Sequence, residues 1–311
     1  MNILLLGANG QLGQTFLSHG GLASLGTVVA ASRDGKLAAG GDGRVGDLAD
    51  AASLAELLDS VNPAIIVNAA AYTAVDRAEQ DEALATRVNA TAVGELAAWA
   101  AGHDALVVHY STDYVFAGNA DTPYAEGEAT APAGAYGRSK LAGERALADS
   151  GAAFLNFRTA WVYASVGNNF LRTMLRLGAE RDELKVVADQ IGSPTDTVTI
   201  VDGTIAAIGA WLAASATQRR AFSGTYHLTA SGQTSWHGFA TAIMQSAHER
   251  GMLSRLPVVH AIGTTDFPTP AKRPAYSVLD NAHFVHTFDH TLPDWRVGMA
   301  RVLDSIKHTS D

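Results

Sequence analysis

Cysteine is absent from all 311 residues. That excludes disulfides and thiolate metal centres and gives no sign of an oxidising compartment. Charge is sparse, with 17% Asp, Glu, Lys and Arg and a net charge of −9. An acidic balance argues against a nucleic-acid partner, although an anionic small molecule responds only to its local site. Long apolar runs are also missing. The stretch Met1-Asn2-Ile3-Leu4-Leu5-Leu6-Gly7 is too short for a signal peptide or a membrane span, and no basic region precedes it. It reads as a buried strand, so the expected location is the cytoplasm, with no membrane partner. There is no internal repeat and no low-complexity tail. Against these absences, 47% of the residues are hydrophobic, enough for a packed core rather than disorder. The length suits one large domain or two fused ones.

Strand and helix signals alternate from the first residue. Asn2 to Leu6 is followed by Gly7-Ala8-Asn9-Gly10-Gln11-Leu12-Gly13 and a helix to about Ser18. Glycines at 7, 10 and 13 allow a tight turn, close approach of backbone to a pyrophosphate, and packing of helix on strand. The phosphates would meet the free N–H groups of the helix N-terminus. A second strand, Thr27 to Ala31, ends at Ser32-Arg33. No acid stands at that end to take the 2′-hydroxyl of NAD, and Arg33 could pair with a 2′-phosphate. NADPH is therefore the expected cofactor, with NADH possible. Asp47-Leu48 follows a short strand, Arg44-Val45, and could flank the adenine. Ala64 to Asn68 opens onto Ala69-Ala70-Ala71, three small residues that let a flat cofactor reach the backbone. A helix from about Asp81 to Gly102 leads into the Leu106–Tyr110 strand. This order predicts an α/β fold with a doubly wound parallel Rossmann sheet, which binds ligands at the carboxyl ends of its strands.

Two segments carry the candidate chemistry. Val107-Val108-His109-Tyr110-Ser111-Thr112-Asp113 is an apolar strand running into small polar residues. Tyr136-Gly137-Arg138-Ser139-Lys140 puts a phenol and an amine one helical turn apart. Carbonyl reduction needs a proton donor tuned toward the operating pH. A lysine charge would lower the Tyr136 pKa to that end, and the Thr112 hydroxyl would polarise the same oxygen. His109 reads as a satisfied sheet residue.

Past Phe154–Arg158 the alternation weakens. Trp161 leaves the sheet just beyond a strand end, where its ring could stack on a base or sugar. Helices are expected at Phe170–Arg181, Thr197–Ala214, Ser235–Arg250 and about Trp295–Ile306, with strands at 184–187 and 225–228. Residues 1–160 are thus the dinucleotide-binding domain, with returning segments near 192–230. Residues 161–311 are mainly a smaller substrate-binding lid. His283, His286 and His290 are loosely spaced like metal ligands, but the interleaved Phe284, Val285 and Phe288 point to a packed segment, and no metal is expected.

Asn68 to Asp76, Ser111 to Phe116, Tyr136 to Glu144, Arg158 to Tyr163, Asn168-Asn169-Phe170, Thr173 to Arg176 and Pro268 to Pro274 together resemble the dTDP-4-dehydrorhamnose reductase family. These are extended short-chain dehydrogenases/reductases, and the resemblance spans essentially the whole chain. It implies reduction of the 4-keto group of dTDP-4-dehydro-β-L-rhamnose by NAD(P)H, with Tyr136 as acid, Thr112 on the keto oxygen, and Lys140 on the nicotinamide ribose. It further implies that Asn9 to Leu12, Asp47, Leu48 and Ala69 to Ala71 touch cofactor, and that Val75, Thr112, Asp113 and Trp161 touch sugar. Arg273 is a candidate for the diphosphate, since a guanidinium fits phosphate oxygens bidentately. Some family members are dimers that share Mg²⁺ through three glutamates. The matching positions here are Thr15, a residue near Thr199, and Arg296. None is acidic, so the metal is not expected, and a monomer or weak homodimer is.

Two rival readings remain open. One is another epimerase or dehydratase of nucleotide sugars. A dehydratase carries Asp-Glu after the active-site Thr, whereas Thr112 is followed by Asp113-Tyr114. The other is a non-catalytic NADP-binding subunit, a reading that loss of Thr112, Tyr136 or Lys140 would favour.

Overall fold

Alternating apolar side chains let one short strand feed two cores. In β1 (Asn2–Leu6) Ile3 and Leu5 face one layer, and Leu4 and Leu6 face the other. The computed structural model describes residues 1–310. In chain order its strands continue as β2 (Thr27–Ser32), β3 (Arg44–Val45), β4 (Ile65–Asn68), β5 (Leu106–Thr112) and β6 (Ala153–Thr159). Then come β7 (Val162–Tyr163), β8 (Glu183–Val187), β9 (Ile191–Gly192), β10 (Thr195–Asp196), β11 (Gly224–His227), β12 (Thr234–Ser235) and β13 (Val258–Ile262). Seven of them form one sheet in the order β11-β6-β5-β4-β1-β2-β3, with every neighbour parallel. The strand order reverses between β1 and β4, which opens a crevice at their carboxyl ends.

Helices Gln11–His19, Thr197–Ala213 and Ala282–Phe288 cover one face. Helices Ala51–Val61, Ala92–His103 and Ala135–Ala148 cover the other. A parallel sheet covered on both faces explains why the strands read as nearly continuous apolar runs. A separate core gathers Tyr163, Leu171, Leu184, Phe239, Ile243 and Leu303. There helices Phe170–Glu180, Trp236–Glu249 and Trp295–Ser310 pack around the parallel pair β8–β13.

Three features differ from the sequence reading. The helix expected at 81–102 is three pieces, Glu82–Thr86, a π-helical turn at Arg87–Thr91, and Ala92–His103. The π turn turns Asn89 inward, where its amide holds both the N–H and the carbonyl of Tyr72. A strand at Val258–Ile262 adds to β8. The helix Ala282–Phe288 sends Phe284 and Phe288 back into the first core, so the C-terminal half meets the main sheet twice. No helix among the described residues is long and apolar enough to cross a membrane.

Candidate active site

The glycine turn is built for close approach. Gly7 has φ +77°, and a Cβ there would stand 2.6 Å from the Ala70 nitrogen. Only glycine fits, because the turn lies directly on the Ala69–Ala71 backbone. Gly13 is different. Its missing Cβ would meet the Gly7 carbonyl at 2.2 Å, and it does not line the cavity beside the turn. Gly13 therefore packs helix on turn and stands back from the cavity wall. The helix that begins at Gln11 has Gly10 as its N-cap, with no side-chain cap and no acid in its first turn. Its first N–H groups are left for an anion. Asn9 holds the outer wall, donating to the Lys36 carbonyl at 2.7 Å and accepting from the Ala38 N–H at 2.7 Å.

A cavity of about 860 Å³ runs from this turn to the end of β5. Gly7, Asn9, Gly10, Gln11, Leu12, Arg33, Asp47, Leu48, Ala69, Ala70, Ala71, Val75, Thr112, Asp113, Tyr136, Lys140 and Trp161 all line it. An uncapped helix start, a glycine cradle and a long flat wall fit a dinucleotide. Arg273 is not in this cavity. It lines an adjoining one of about 950 Å³ that shares Val75 and Tyr114 with the first. There Arg273 Nη2 donates to Asp76 Oδ2 at 2.6 Å, while its buried Nη1 has no hydrogen-bond partner.

The helix carrying Tyr136 and Lys140 is held from three sides. Glu79 accepts from the Ala135 N–H at its start, at 2.8 Å. Ser139 accepts from Asn89 at 3.0 Å. At Gly143 a Cβ would lie 2.0 Å from the Asn89 carbonyl, so the π turn and this helix are in direct contact. At the end of β5, Thr112 Oγ1 donates to Asp113 Oδ1 at 2.9 Å and accepts from the Tyr114 N–H at 3.2 Å.

Electrostatics here are set by burial. Tyr136 lies above its ordinary pKa, first because burial disfavours the phenolate and second because of the Asp113 charge; the neighbouring Thr112 hydroxyl works the other way. Burial brings the Lys140 ammonium down to about 8, opposed by Glu144. Burial also pushes Asp113 up to about 6. The expectation that Lys140 depresses the Tyr136 phenol is therefore not met in this arrangement. The Lys140 Nζ lies 3.2 Å from His109 Nε2, and desolvation outweighs attraction at the phenol.

The whole chain can be placed among known proteins. Residues 1–308 match the family described as RmlD substrate binding domain. The chain belongs to that RmlD family. It is 48% identical over 302 residues to a dTDP-4-dehydrorhamnose reductase of Burkholderia thailandensis, covering 95% of this chain and 96% of the relative. A crystal structure of a dTDP-4-dehydrorhamnose reductase from Clostridium acetobutylicum superposes with a TM-score of 0.85 at 33% identity, covering 99% of this chain and all of that one. One from Bacillus anthracis, in complex with NADP, has a TM-score of 0.82 at 32% identity, with 98% and 99% covered.

Within this RmlD chain, some lining residues escape sequence reasoning. Asp34 follows Arg33 on the cavity wall. Its Oδ1 accepts from the Lys36 N–H at 3.2 Å and from Ser32 Oγ at 3.3 Å, and the Lys36 bond holds its carboxyl below the usual range. An acid does stand beside the end of β2, two residues past the strand. Thr159 also lines the cavity, beside the Ser111 already expected at the end of β5, and each has a buried hydroxyl with no hydrogen-bond partner. Their signal was position at the ends of adjacent strands. The positions matched to the family's shared Mg²⁺ lie elsewhere. Thr15 meets Thr197 at 2.7 Å, Thr199 donates to Asp196, and Arg296 pairs with Asp294. His283 contacts Tyr226 and His290 contacts Phe284 in aromatic packing.

Proposed function

We propose that this protein reduces dTDP-4-dehydro-β-L-rhamnose to dTDP-L-rhamnose with NADPH, the last step in making that sugar nucleotide. The observation that carries the reading is the meeting of three groups from separate segments, Thr112, Tyr136 and Lys140, in one cavity that begins at an uncapped helix. The similarity to reductases over the full chain supports it. When bound, the dihydronicotinamide supplies a hydride to C4 of the sugar. Tyr136 gives its proton to the C4 oxygen, and Thr112 turns its hydroxyl from Asp113 to that oxygen as negative charge develops. Lys140 holds the ribose hydroxyls and, as an ammonium, stabilises the phenolate that Tyr136 becomes. Gly7, Gly10, Gln11 and Leu12 hold the pyrophosphate. Arg33 takes the 2′-phosphate, and Asp47, Leu48 and Ala69 to Ala71 take the adenosine side. Val75 and Trp161 bound the sugar. Arg273, sharing Asp76, offers its unpaired Nη1 to the diphosphate. Residues 1–160 act as the cofactor domain and 161–311 mainly as the substrate lid, in a cytoplasmic monomer or weak homodimer.

The test is NADPH oxidation by the purified protein with dTDP-4-dehydrorhamnose, and identification of the sugar in the product. L-rhamnose is expected. A changed configuration with no net cofactor use would favour an epimerase, and binding of NADPH without turnover a regulatory subunit. Tyr136→Phe should lower kcat by roughly 10²- to 10⁴-fold and still bind NADPH. Full activity in that variant would remove the assigned acid.

A further inference from the structure

Three polar residues form a row across the middle of the sheet, on the side that meets helix Ala135–Ala148. His109 of β5 is the register partner of Asn68 in β4 and of Asn156 in β6. None of the three is more than 1% exposed. A buried polar group is costly to leave unpaired; Asn156 turns its amide to Thr225 Oγ1 and leaves its Oδ1 without a partner, but between Asn68 and His109 the pairing fixes protons. The Ala70 N–H donates to Asn68 Oδ1 at 3.3 Å. Backbone N–H groups cannot reverse, so the carboxamide oxygen is assigned to Ala70. The Asn68 Nδ2 then faces His109 Nδ1 at 3.2 Å. That ring nitrogen must accept, and a neutral imidazole carries its single proton on the other nitrogen. His109 is taken as the neutral ring, since burial pushes its imidazolium well below the usual range. The resulting Nε2–H points at Lys140 Nζ, 3.2 Å away. An ammonium has three donors and no acceptor, so only the amine can receive that bond.

We propose that His109 is a positioning residue for Lys140, its proton fixed on Nε2 by Asn68, so that the ring N–H disfavours the Lys140 ammonium in the resting protein. The other charged groups near Lys140 are Glu144 on its own helix and, bound to Glu144, Arg158 of β6. Glu144 favours the ammonium but is shared with Arg158. Burial already lowers Lys140 to about 8, and the His109 N–H acts in the same direction. The inference rests on the reductase reading for its kinetic consequence only. If the Lys140 ammonium supports the Tyr136 phenolate, kcat falls as pH rises through the Lys140 pKa.

The test is nitrogen NMR of the histidine rings and lysine side chains in the full-length protein, with Asn68→Asp beside wild type. In wild type, His109 Nδ1 should be bare and Nε2 protonated, and Lys140 should lose its proton below about 8. In Asn68→Asp one carboxylate oxygen keeps the Ala70 N–H, and the other accepts from Nδ1–H. The proton moves to Nδ1, Nε2 becomes an acceptor, and Lys140 should titrate at least about one pH unit higher. The alkaline limb of kcat should move with it. A protonated Nδ1 in wild type, or a Lys140 titration unmoved by Asn68→Asp, overturns the inference. If Asn68→Asp does not fold, the wild-type ring measurement decides alone. Failure of wild type to reduce the dTDP sugar would defeat the functional reading and leave the ring measurement to judge His109.

Discussion

The indole rings of Trp161 and Trp236 lie face to face, with centroids 3.5 Å apart and planes 2° from parallel. Trp161 has φ +48°, a left-handed conformation that costs a bulky residue of order 1–3 kcal/mol. Gly192 makes room for it, since a Cβ there would lie 2.4 Å from Trp161 Cε2. The strain is held by packing, and it sets the indole on the wall of the cavity that begins at the glycine turn, while Trp236 lines the adjoining one. Removing Trp236 should release it. Aromatic pairs contribute about 0.5–1.5 kcal/mol beyond their area, so Trp236→Ala should raise KM for the sugar nucleotide roughly 2- to 10-fold, with kcat little changed. Steady-state kinetics with varied substrate at saturating NADPH check this. A loss confined to kcat would mean that Trp161 acts on the reacting group rather than on binding.

Asp113 gives a stability prediction with a definite sign. Its folded pKa is raised from 3.8 to about 6 by burial, so ionisation opposes folding. That penalty is absent below the unfolded value, grows as pH rises from about 4 to 6, and is complete above. A shift of this size corresponds to an order of 2–3 kcal/mol. Asp113→Asn keeps an acceptor for Thr112 and removes the charge. It should melt at a higher temperature than wild type at pH 8, with the two converging near pH 4, and should be a poorer enzyme. Thermal melts across that range decide the matter; equal melting temperatures at pH 8 would contradict it.

The local motifs were legible because their physics is local. A strand followed by Gly7, Gly10 and Gly13 allows few structures other than a tight turn into a helix, and Tyr136 and Lys140 need only one helical turn to share a face. Parallel β1, β4 and β5 then bring these segments to one sheet edge without further information. Contacts distant in sequence were hidden. Asp76 and Arg273 are 197 positions apart, and nothing in either neighbourhood signals the pair. The sense of the Tyr136 shift was hidden too, because it depends on how completely the site is desolvated. Asp34 was missed for a narrower reason: the expected acid ends a strand, and this one sits in the turn beyond, held there by Ser32 and Lys36.

Arg158 and Glu144 are joined by two hydrogen bonds, of 2.9 and 2.7 Å, with both side chains 7% exposed. They tie β6 to the helix that carries Tyr136 and Lys140. Breaking a buried pair from one side leaves an uncompensated charge and costs about 3–5 kcal/mol. Glu144→Ala should therefore lower the melting temperature by roughly 10 °C. Replacing both residues, as Glu144→Gln with Arg158→Met, should recover most of that loss. Calorimetry of the single and double variants tests the coupling, and additive losses would argue against it.

On the proposed function, cofactor choice would turn on two neighbours of opposite charge at the end of β2. Arg33 and Asp34 both line the cavity. Arg33 is exposed and free to reach a 2′-phosphate, whereas Asp34 is tethered by Ser32 and Lys36. A charge-assisted hydrogen bond contributes about 1.5–3 kcal/mol. Arg33→Ala should thus raise KM for NADPH roughly tenfold or more and leave KM for NADH nearly unchanged. Asp34→Asn should weaken NADH and favour NADPH further, because the carboxylate suits a 2′-hydroxyl and repels a 2′-phosphate. Measuring kcat/KM for both cofactors in wild type and the two variants closes the cycle. If wild type turned over NADH as well as NADPH and Arg33→Ala changed neither, the guanidinium would have no part in the choice, and Asp34 would govern it.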